Sequence, residues 1–100
     1  MVMMEATTRI GILYVDIFIA GSRSLKEKRM VLRSIKDRVR AKFNVSVGEL
    51  DNQDKWQLAT LAFSIIGNDN RYIDSVLQKV LSFIDNHRTV TISGHKFEFC

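Results

Sequence analysis

At residues 10–27 the chain reads IGILYVDIFIAGSRSLKE, and most of the fold can be inferred by working outward from this segment. Its first half is rich in β-branched and aromatic residues, which is typical of a strand in the centre of a sheet. A Gly-Ser-Arg break follows. Ser24, with Glu27 three residues later, then forms a capping box, which predicts a helix that continues to about Lys42.

The next segments predict a β-hairpin. Residues 43–50 and 57–66 alternate apolar and polar side chains, as half-buried strands do. The polar residues 51–54 between them are typical of a turn. We therefore expect these two strands to pair with each other in antiparallel orientation.

The last third of the chain predicts a second helix and a final strand. Turn and cap residues at 67–70 precede an apolar stripe with the helical period of 3.6, which ends near His87. The stripe consists of Ile73, Val76, Leu77, Val80, Leu81 and Ile84. Residues 89–99 resemble a strand, and Gly94 within them marks a bend or a bulge.

This order of elements predicts an α+β fold, a ferredoxin-like βαββαβ sandwich. Because crossover connections are right-handed, the four-stranded antiparallel sheet should carry both helices on one face. A chain of 100 residues suffices for one domain, which we assign to residues 9–100. Residues 1–8 show no usable period and are expected to be a disordered N-terminus.

The composition excludes several classes of protein. Apolar residues make up 46% of the chain and charged residues 26%, as in an ordinary globular protein, and no apolar run approaches the ~20 residues of a membrane-spanning helix. The start of the chain does not resemble a secretory leader, so we expect a cytoplasmic protein without a membrane partner. Cys100 is the single cysteine, which excludes an intramolecular disulfide and a cysteine-based metal site. We expect no cofactor and no metal.

The positive charge is concentrated in the predicted first helix. Residues 23–42 hold nine basic residues against two acidic ones, a net charge of +7, whereas the whole chain carries +4. The other residues therefore sum to −3. A basic element on a slightly acidic body both attracts and orients a polyanion.

Five of these cations follow one line along the helix, here called the basic ridge: Lys26, Arg29, Arg33, Lys36 and Arg40. Each lies about one turn from the next, and such like-charged neighbours cost roughly 0.2 to 0.5 kcal/mol per pair. Lysine and arginine are also good helix formers whose stems cover the edge of a core. A merely solvated surface is therefore an equally valid interpretation of the ridge.

The functional interpretation is a non-enzymatic accessory protein that binds RNA or a ribosomal particle through the basic ridge. Cations about 5 Å apart along a helix can follow a phosphate backbone, and RNA is the polyanion expected in the cytoplasm. On this interpretation all five ridge side chains contact nucleic acid.

A first alternative uses the face of the sheet that the helices leave open. Ile12, Tyr14 and Phe18 are expected on this face, which is more apolar than solvent favours. They predict contact with a partner protein or a homodimer. The third strand offers no aromatic residue on the same face, so stacking of RNA bases on the sheet is not expected.

A second alternative uses Ser22, Arg23 and Ser24, directly ahead of the first helix. Backbone N–H groups at a helix N-terminus can hold a phosphate, with Arg23 as the charged partner. Such a site would suit a small acylphosphatase-like phosphohydrolase. No catalytic set of residues can be assembled with any specificity, so we do not expect an enzyme.

The predicted hairpin turn is flanked by Glu49, Asp51 and Asp54. Carboxylates suit hard cations such as Mg²⁺, but turns use the same residues to bond their own backbone, and we favour that interpretation. Trp56, beside the turn, is expected to pack at the base of the hairpin.

Residues 24–29 (SLKEKR), residues 43–47 (FNVSV), and Glu49 through Asp51 to residues 54–57 (DKWQ) resemble the YlxP-like family. Its members are small cytoplasmic bacterial proteins known mainly as a domain of unknown function. The resemblance covers roughly residues 9–99, with the three motifs in the same order. It implies a ferredoxin-like fold and genes that lie near those of transcription and translation factors. It carries over no catalytic residue.

Overall fold

The computed structural model describes residues 6–100. The predicted disordered start at residues 1–8 therefore lies mostly outside the described residues. The elements in chain order are β1 (Arg9–Phe18), α1 (Leu25–Lys42), β2 (Ser46–Asp51), β3 (Leu58–Gly67), α2 (Asn70–Asp85) and β4 (Thr91–Phe99).

The four strands form one antiparallel sheet in the order β2-β3-β1-β4. Helix α1 connects a central strand to the edge strand β2, and α2 connects the other central strand to the opposite edge strand, β4. This arrangement confirms the predicted α+β, ferredoxin-like βαββαβ fold. Neither helix within residues 6–100 is long and apolar enough to cross a membrane.

The core lies between the sheet and the helices because the strands alternate. Every odd-numbered residue of β1 from Gly11 to Ile17 is buried, and β3 buries Ala59, Leu61, Phe63 and Ile65 in the same way. These side chains pack against the apolar stripes of both helices. The even-numbered positions of both strands remain on the open face, as the alternation predicts.

One element boundary differs from the prediction by more than two residues. Strand β2 begins at Ser46 rather than near residue 43, because Phe43 caps α1 with its N–H bonded to the Val39 carbonyl. The Phe43 ring instead packs edge-on against Phe83 of α2, with ring centroids 6.1 Å apart. Apolar alternation alone does not distinguish this cap from a strand residue.

The irregularity predicted at Gly94 is present. The pairing between β1 and β4 shifts where Asp16 pairs with Gly94 and the next residue, Ile17, pairs with Ile92, which leaves Ser93 without a partner in the ladder. A second shift in the β2–β3 pairing lies between Glu49 and Asp51. Bulges of this kind bend a strand and re-aim its side chains.

Gly11 allows α2 to approach β1 closely, so replacing it by alanine should destabilise the protein. A methyl group here would overlap the Cγ2 atom of Ile73, which sits on a stiff β-branched side chain, and would lie 3.0 Å from Cδ1 of Leu77. We expect Gly11→Ala to lower the free energy of unfolding by about 2 kcal/mol, as overpacked cores do. Urea denaturation followed by circular dichroism measures this. Gly21→Ala, with no atom within 4 Å of the added methyl, should change stability by less than about 0.5 kcal/mol.

Candidate nucleic-acid interface

The basic ridge begins where the capping box starts α1. The Ser24 hydroxyl accepts a hydrogen bond from the Glu27 N–H at 3.1 Å, and a Glu27 carboxylate oxygen accepts one from the Arg23 N–H. Ser24 therefore caps α1 as predicted, but Glu27 reaches back to the N–H of Arg23, one residue before the N-cap, rather than to that of Ser24. These two contacts fix the first turn of α1, where the ridge begins.

The ridge lies on the side of α1 that faces the edge strand β2. Four of its cations line an open groove of about 440 Å³, together with Leu32, Asp37 of the same helix and Glu49 of β2. These four are Arg29, Arg33, Lys36 and Arg40. Lys26 is exposed one turn before them and does not line the groove. We call this space the α1–β2 groove.

Acidic side chains neutralise little of the ridge. Arg40 approaches Asp37 at 3.8 Å, with both side chains at least half exposed, so solvent screens this pair strongly. Within residues 6–100, no carboxylate oxygen lies within 4.0 Å of the other four ridge cations. Glu49, the second acid of the groove, is occupied by a different lysine.

That lysine is Lys28, whose side chain is buried beneath α1 with a residue exposure of 1%. Its ammonium lies 3.2 Å from Oε2 of Glu49 and donates a hydrogen bond of 2.5 Å to the carbonyl of Asn52. The buried Oε2 makes no hydrogen bond with the rest of the described chain, so it depends on this ion pair. The role of Lys28 was missed in the sequence, where this residue was counted only as one of the nine basic residues of 23–42. Its position within the apolar stripe of α1, between Leu25 and Leu32, was the available signal.

Polar contacts continue from Lys28 to the open face of the sheet. Asn52 adopts a left-handed backbone conformation with φ of 62°, and its side-chain amide donates to the Thr60 hydroxyl at 3.1 Å. That hydroxyl donates to Asp16 on β1 at 2.7 Å. Asp51 accepts from the Asn52 N–H at 2.8 Å, which is the turn role favoured for it. Among residues 6–100, no three metal-ligating side chains gather into a possible metal site.

The predicted anion site before α1 is occupied by the loop's own contacts. The Ser22 hydroxyl is buried and donates to the Ser24 carbonyl at 3.1 Å, while Ser24 and the Arg23 N–H are bonded to Glu27. The Glu27 carboxylate already stands where a phosphate would bind. This geometry weighs against the anion site and against the phosphohydrolase alternative, since an anion would have to displace a fixed carboxylate.

The open sheet face carries the three residues of the predicted interface. Ile12 and Tyr14 are partly buried there, and Phe18 is exposed at the end of β1. The ammonium of Lys96 lies 4.8 Å from the centroid of the Tyr14 ring, in a cation–π contact. The face is thus apolar at its ends and partly screened by a lysine at its centre.

A second basic groove, of about 500 Å³, separates α1 from α2. Arg38, Lys42 and Lys79 line it, and the Lys42 ammonium lies 5.2 Å from the centroid of the Phe83 ring. Partial burial, and then the charge of Arg38, lower the pKa of His87 in the same groove. Because its neutral form is favoured, His87 adds little positive charge to this surface at neutral pH.

Trp56 does not pack at the base of the hairpin, so that expectation was wrong. Its side chain is 56% exposed beside an open cleft of about 560 Å³, which Phe18 and Leu58 also line. Trp56 is not among the residues that form the hydrophobic core or pack against it.

The motifs that carry the predicted family resemblance have related structural roles. Residues 24–29 supply the helix cap and the buried Lys28, whose partner Glu49 belongs to the later motif. The side-chain amide of Gln57 donates to the carbonyls of Ala20 and Ser22 at 3.1 and 3.3 Å. Two of the three motifs therefore fasten the β2–β3 hairpin to α1 and to the loop before it.

Comparison with known proteins supports the predicted family resemblance. The family described as "Protein of unknown function (DUF503)" matches residues 10–96. The chain is also 40% identical over 86 residues to "Uncharacterized protein YlxP" of Bacillus subtilis (strain 168), covering 82% of this chain and 94% of that protein. The resemblance predicted from the motifs is thereby confirmed, and the chain belongs to the DUF503 family.

Proposed function

We propose that the protein is a non-enzymatic, cytoplasmic accessory protein that binds RNA or a ribosomal particle through the basic ridge of α1. One observation carries this proposal: four unneutralised or weakly neutralised cations surround one open groove. Side chains that serve only solubility can spread away from one another into solvent. Arg29, Arg33, Lys36 and Arg40 instead line one shared open groove.

The shape of the ridge suits a chain of phosphates better than a single anion. From Lys26 to Arg40 the helix rises roughly 21 Å at 1.5 Å per residue. Cations distributed over this length can each meet a different phosphate group, and each contact releases counterions from the nucleic acid. The buried Lys28–Glu49 pair adds no net charge to this surface, so the ridge cations dominate the local field.

A second candidate function is favoured by the open sheet face. Ile10, Phe18, Leu58 and Ile66 are each more than one third exposed, and all four belong to β1 or β3. Apolar residues of this number on one face are typical of contact with a partner protein or a second copy of the chain. On this alternative, Ile12, Tyr14 and Phe18 form the interface and the cations of α1 only keep the protein soluble.

Salt dependence tests the first proposal directly. The probes are a labelled oligouridylate and purified ribosomal particles, the latter measured by co-sedimentation over a series of salt concentrations. Neutralising about four phosphates of a single strand should give a slope near −3 for log affinity against log salt. A slope near zero, or no association with either probe at low salt, would contradict phosphate binding by the ridge.

A further inference from the structure

We propose that Trp56 is a stacking platform for an unpaired base of an RNA strand whose phosphates lie along α1. The inference rests on the proposed RNA-binding function and adds to it the class of RNA, which is single-stranded. Its starting point is that an indole, the largest apolar side chain available to a protein, is left 56% exposed at the end of a hairpin turn.

The backbone that carries this indole is anchored. Gln57, the next residue, accepts a hydrogen bond from the Ile19 N–H at 2.8 Å, and its side chain bonds the loop before α1. On the other side, the Lys55 N–H donates to the Asn52 carbonyl at 3.1 Å. A flat side chain on a fixed backbone loses little conformational entropy when a ligand stacks on it.

The surroundings of Trp56 have the chemistry of a base-binding cleft. Phe18 and Leu58, each a little over one third exposed, give the cleft apolar walls, and Lys55 and Asp54 lie at its edge. Aromatic and apolar surfaces accept any base because every base has a π-face, while a nearby cation suits the attached phosphate. The single acid, Asp54, offsets the charge of Lys55 but leaves the stacking surface apolar.

The cleft lies at the end of the sheet where α1 begins, with its walls Phe18 and Leu58 on the open face. The Asn52 carbonyl accepts hydrogen bonds both from the buried Lys28 ammonium and from the Lys55 N–H. The segment that leads into Trp56 is therefore bonded to the helical turn from which Arg29 projects. An RNA strand bound along the ridge would pass the start of α1 and turn round this end of the sheet to bring an unpaired base to Trp56.

This position favours RNA over a second copy of the chain as the occupant. A nucleic acid strand needs cations for its phosphates and an aromatic surface for its bases. Lys55 lies at the edge of the cleft, and the basic ridge begins at the same end of the sheet. The sequence did not reveal this, because the aromatic residue lies on a turn and not on the two strands that carry the stacking residues in RNA-recognition motifs.

Trp56 is the single tryptophan of the chain, so its fluorescence reports the proposed contact without a label. The protein is titrated with an oligoadenylate and, separately, with inorganic polyphosphate, which offers negative charges but no bases. We expect both probes to bind with a strong salt dependence. Only the oligoadenylate should quench the fluorescence.

Substitutions separate stacking from charge. Trp56→Ala should weaken oligoadenylate binding about 5- to 100-fold, the usual loss when a stacking aromatic is removed, and leave polyphosphate binding unchanged. Trp56→Phe should retain most of the affinity. Tyr72→Ala removes an aromatic side chain that is 62% exposed on α2 and should have no effect on either probe.

The possible outcomes distinguish the two proposals. Equal oligoadenylate affinity of Trp56→Ala and the unchanged protein would overturn stacking and leave phosphate binding in place. Failure of both probes to bind would overturn the RNA-binding function and the stacking that depends on it. If Trp56→Ala abolishes self-association in sedimentation equilibrium and leaves RNA affinity unchanged, a second copy of the chain occupies this surface and the stacking proposal is wrong.

Discussion

Lys28→Met is expected to lower the free energy of unfolding by about 3 kcal/mol, since breaking a buried ion pair from one side leaves an uncompensated charge. Methionine preserves most of the apolar stem that packs under α1, so the loss comes from the missing ammonium. Glu49 would then hold a carboxylate oxygen that is buried and has no other partner among the described residues. The Asn52 carbonyl would lose one of its two donors as well and keep the Lys55 N–H. Urea denaturation with an unchanged m-value measures the effect.

Two further variants attribute this loss to the charge. Lys26→Met removes a neighbouring but exposed lysine of the same helix and should change stability by less than about 0.5 kcal/mol. Lys28→Met combined with Glu49→Gln removes both charges and should recover part of the lost stability. Equal stabilities for Lys28→Met and Lys26→Met would contradict a structural role for the pair.

The fold could be predicted because it depends on the periods of apolar residues. Alternation in β1 and the 3.6-residue stripe of α2 determine which side chains face the core, and both are read without knowing any distant contact. The boundaries of the elements were predicted less accurately, because a period of apolar residues does not show where an element begins or ends. Phe43 fits the alternation of a strand but serves as a helix cap whose ring contacts a residue of the second helix.

The basic ridge could also be predicted, since its alignment requires only the geometry of one helix. The α1–β2 groove could not be predicted, because it is formed between that helix and the edge strand β2. The burial of Lys28 was not identified from the sequence, and Trp56 was wrongly expected to be packed. The apolar stripe of α1 could have indicated that Lys28 is buried. Its partners Glu49 and Asn52, and the exposure of Trp56, depend on how the β2–β3 hairpin lies against the start of α1, which no local pattern encodes.

Reversing three ridge charges together, as Arg29→Glu, Arg33→Glu and Lys36→Glu, should cause the largest loss of RNA binding. At 0.15 M salt each lost phosphate contact on a single strand lowers affinity about 4-fold, so three lower it at least about 50-fold, and the new carboxylates add repulsion. The salt slope should fall from near −3 to near −1. All three residues project from the surface of α1 into the open groove, so the circular dichroism spectrum should remain that of the folded protein.

A matched variant tests whether position or total charge is responsible. The same change in net charge is made at exposed sites outside the ridge by Arg71→Glu, Lys79→Glu and Arg88→Glu. We expect this variant to lower log affinity for RNA by less than about one fifth of the decrease that the ridge variant causes. Ile12→Ser with Tyr14→Ser alters the open face outside the Trp56 cleft and should leave the slope unchanged. If the matched variant loses as much affinity as the ridge variant, the attraction is a property of overall charge. If only the open-face variant loses its partner, the sheet face is the interface and the ridge serves solubility.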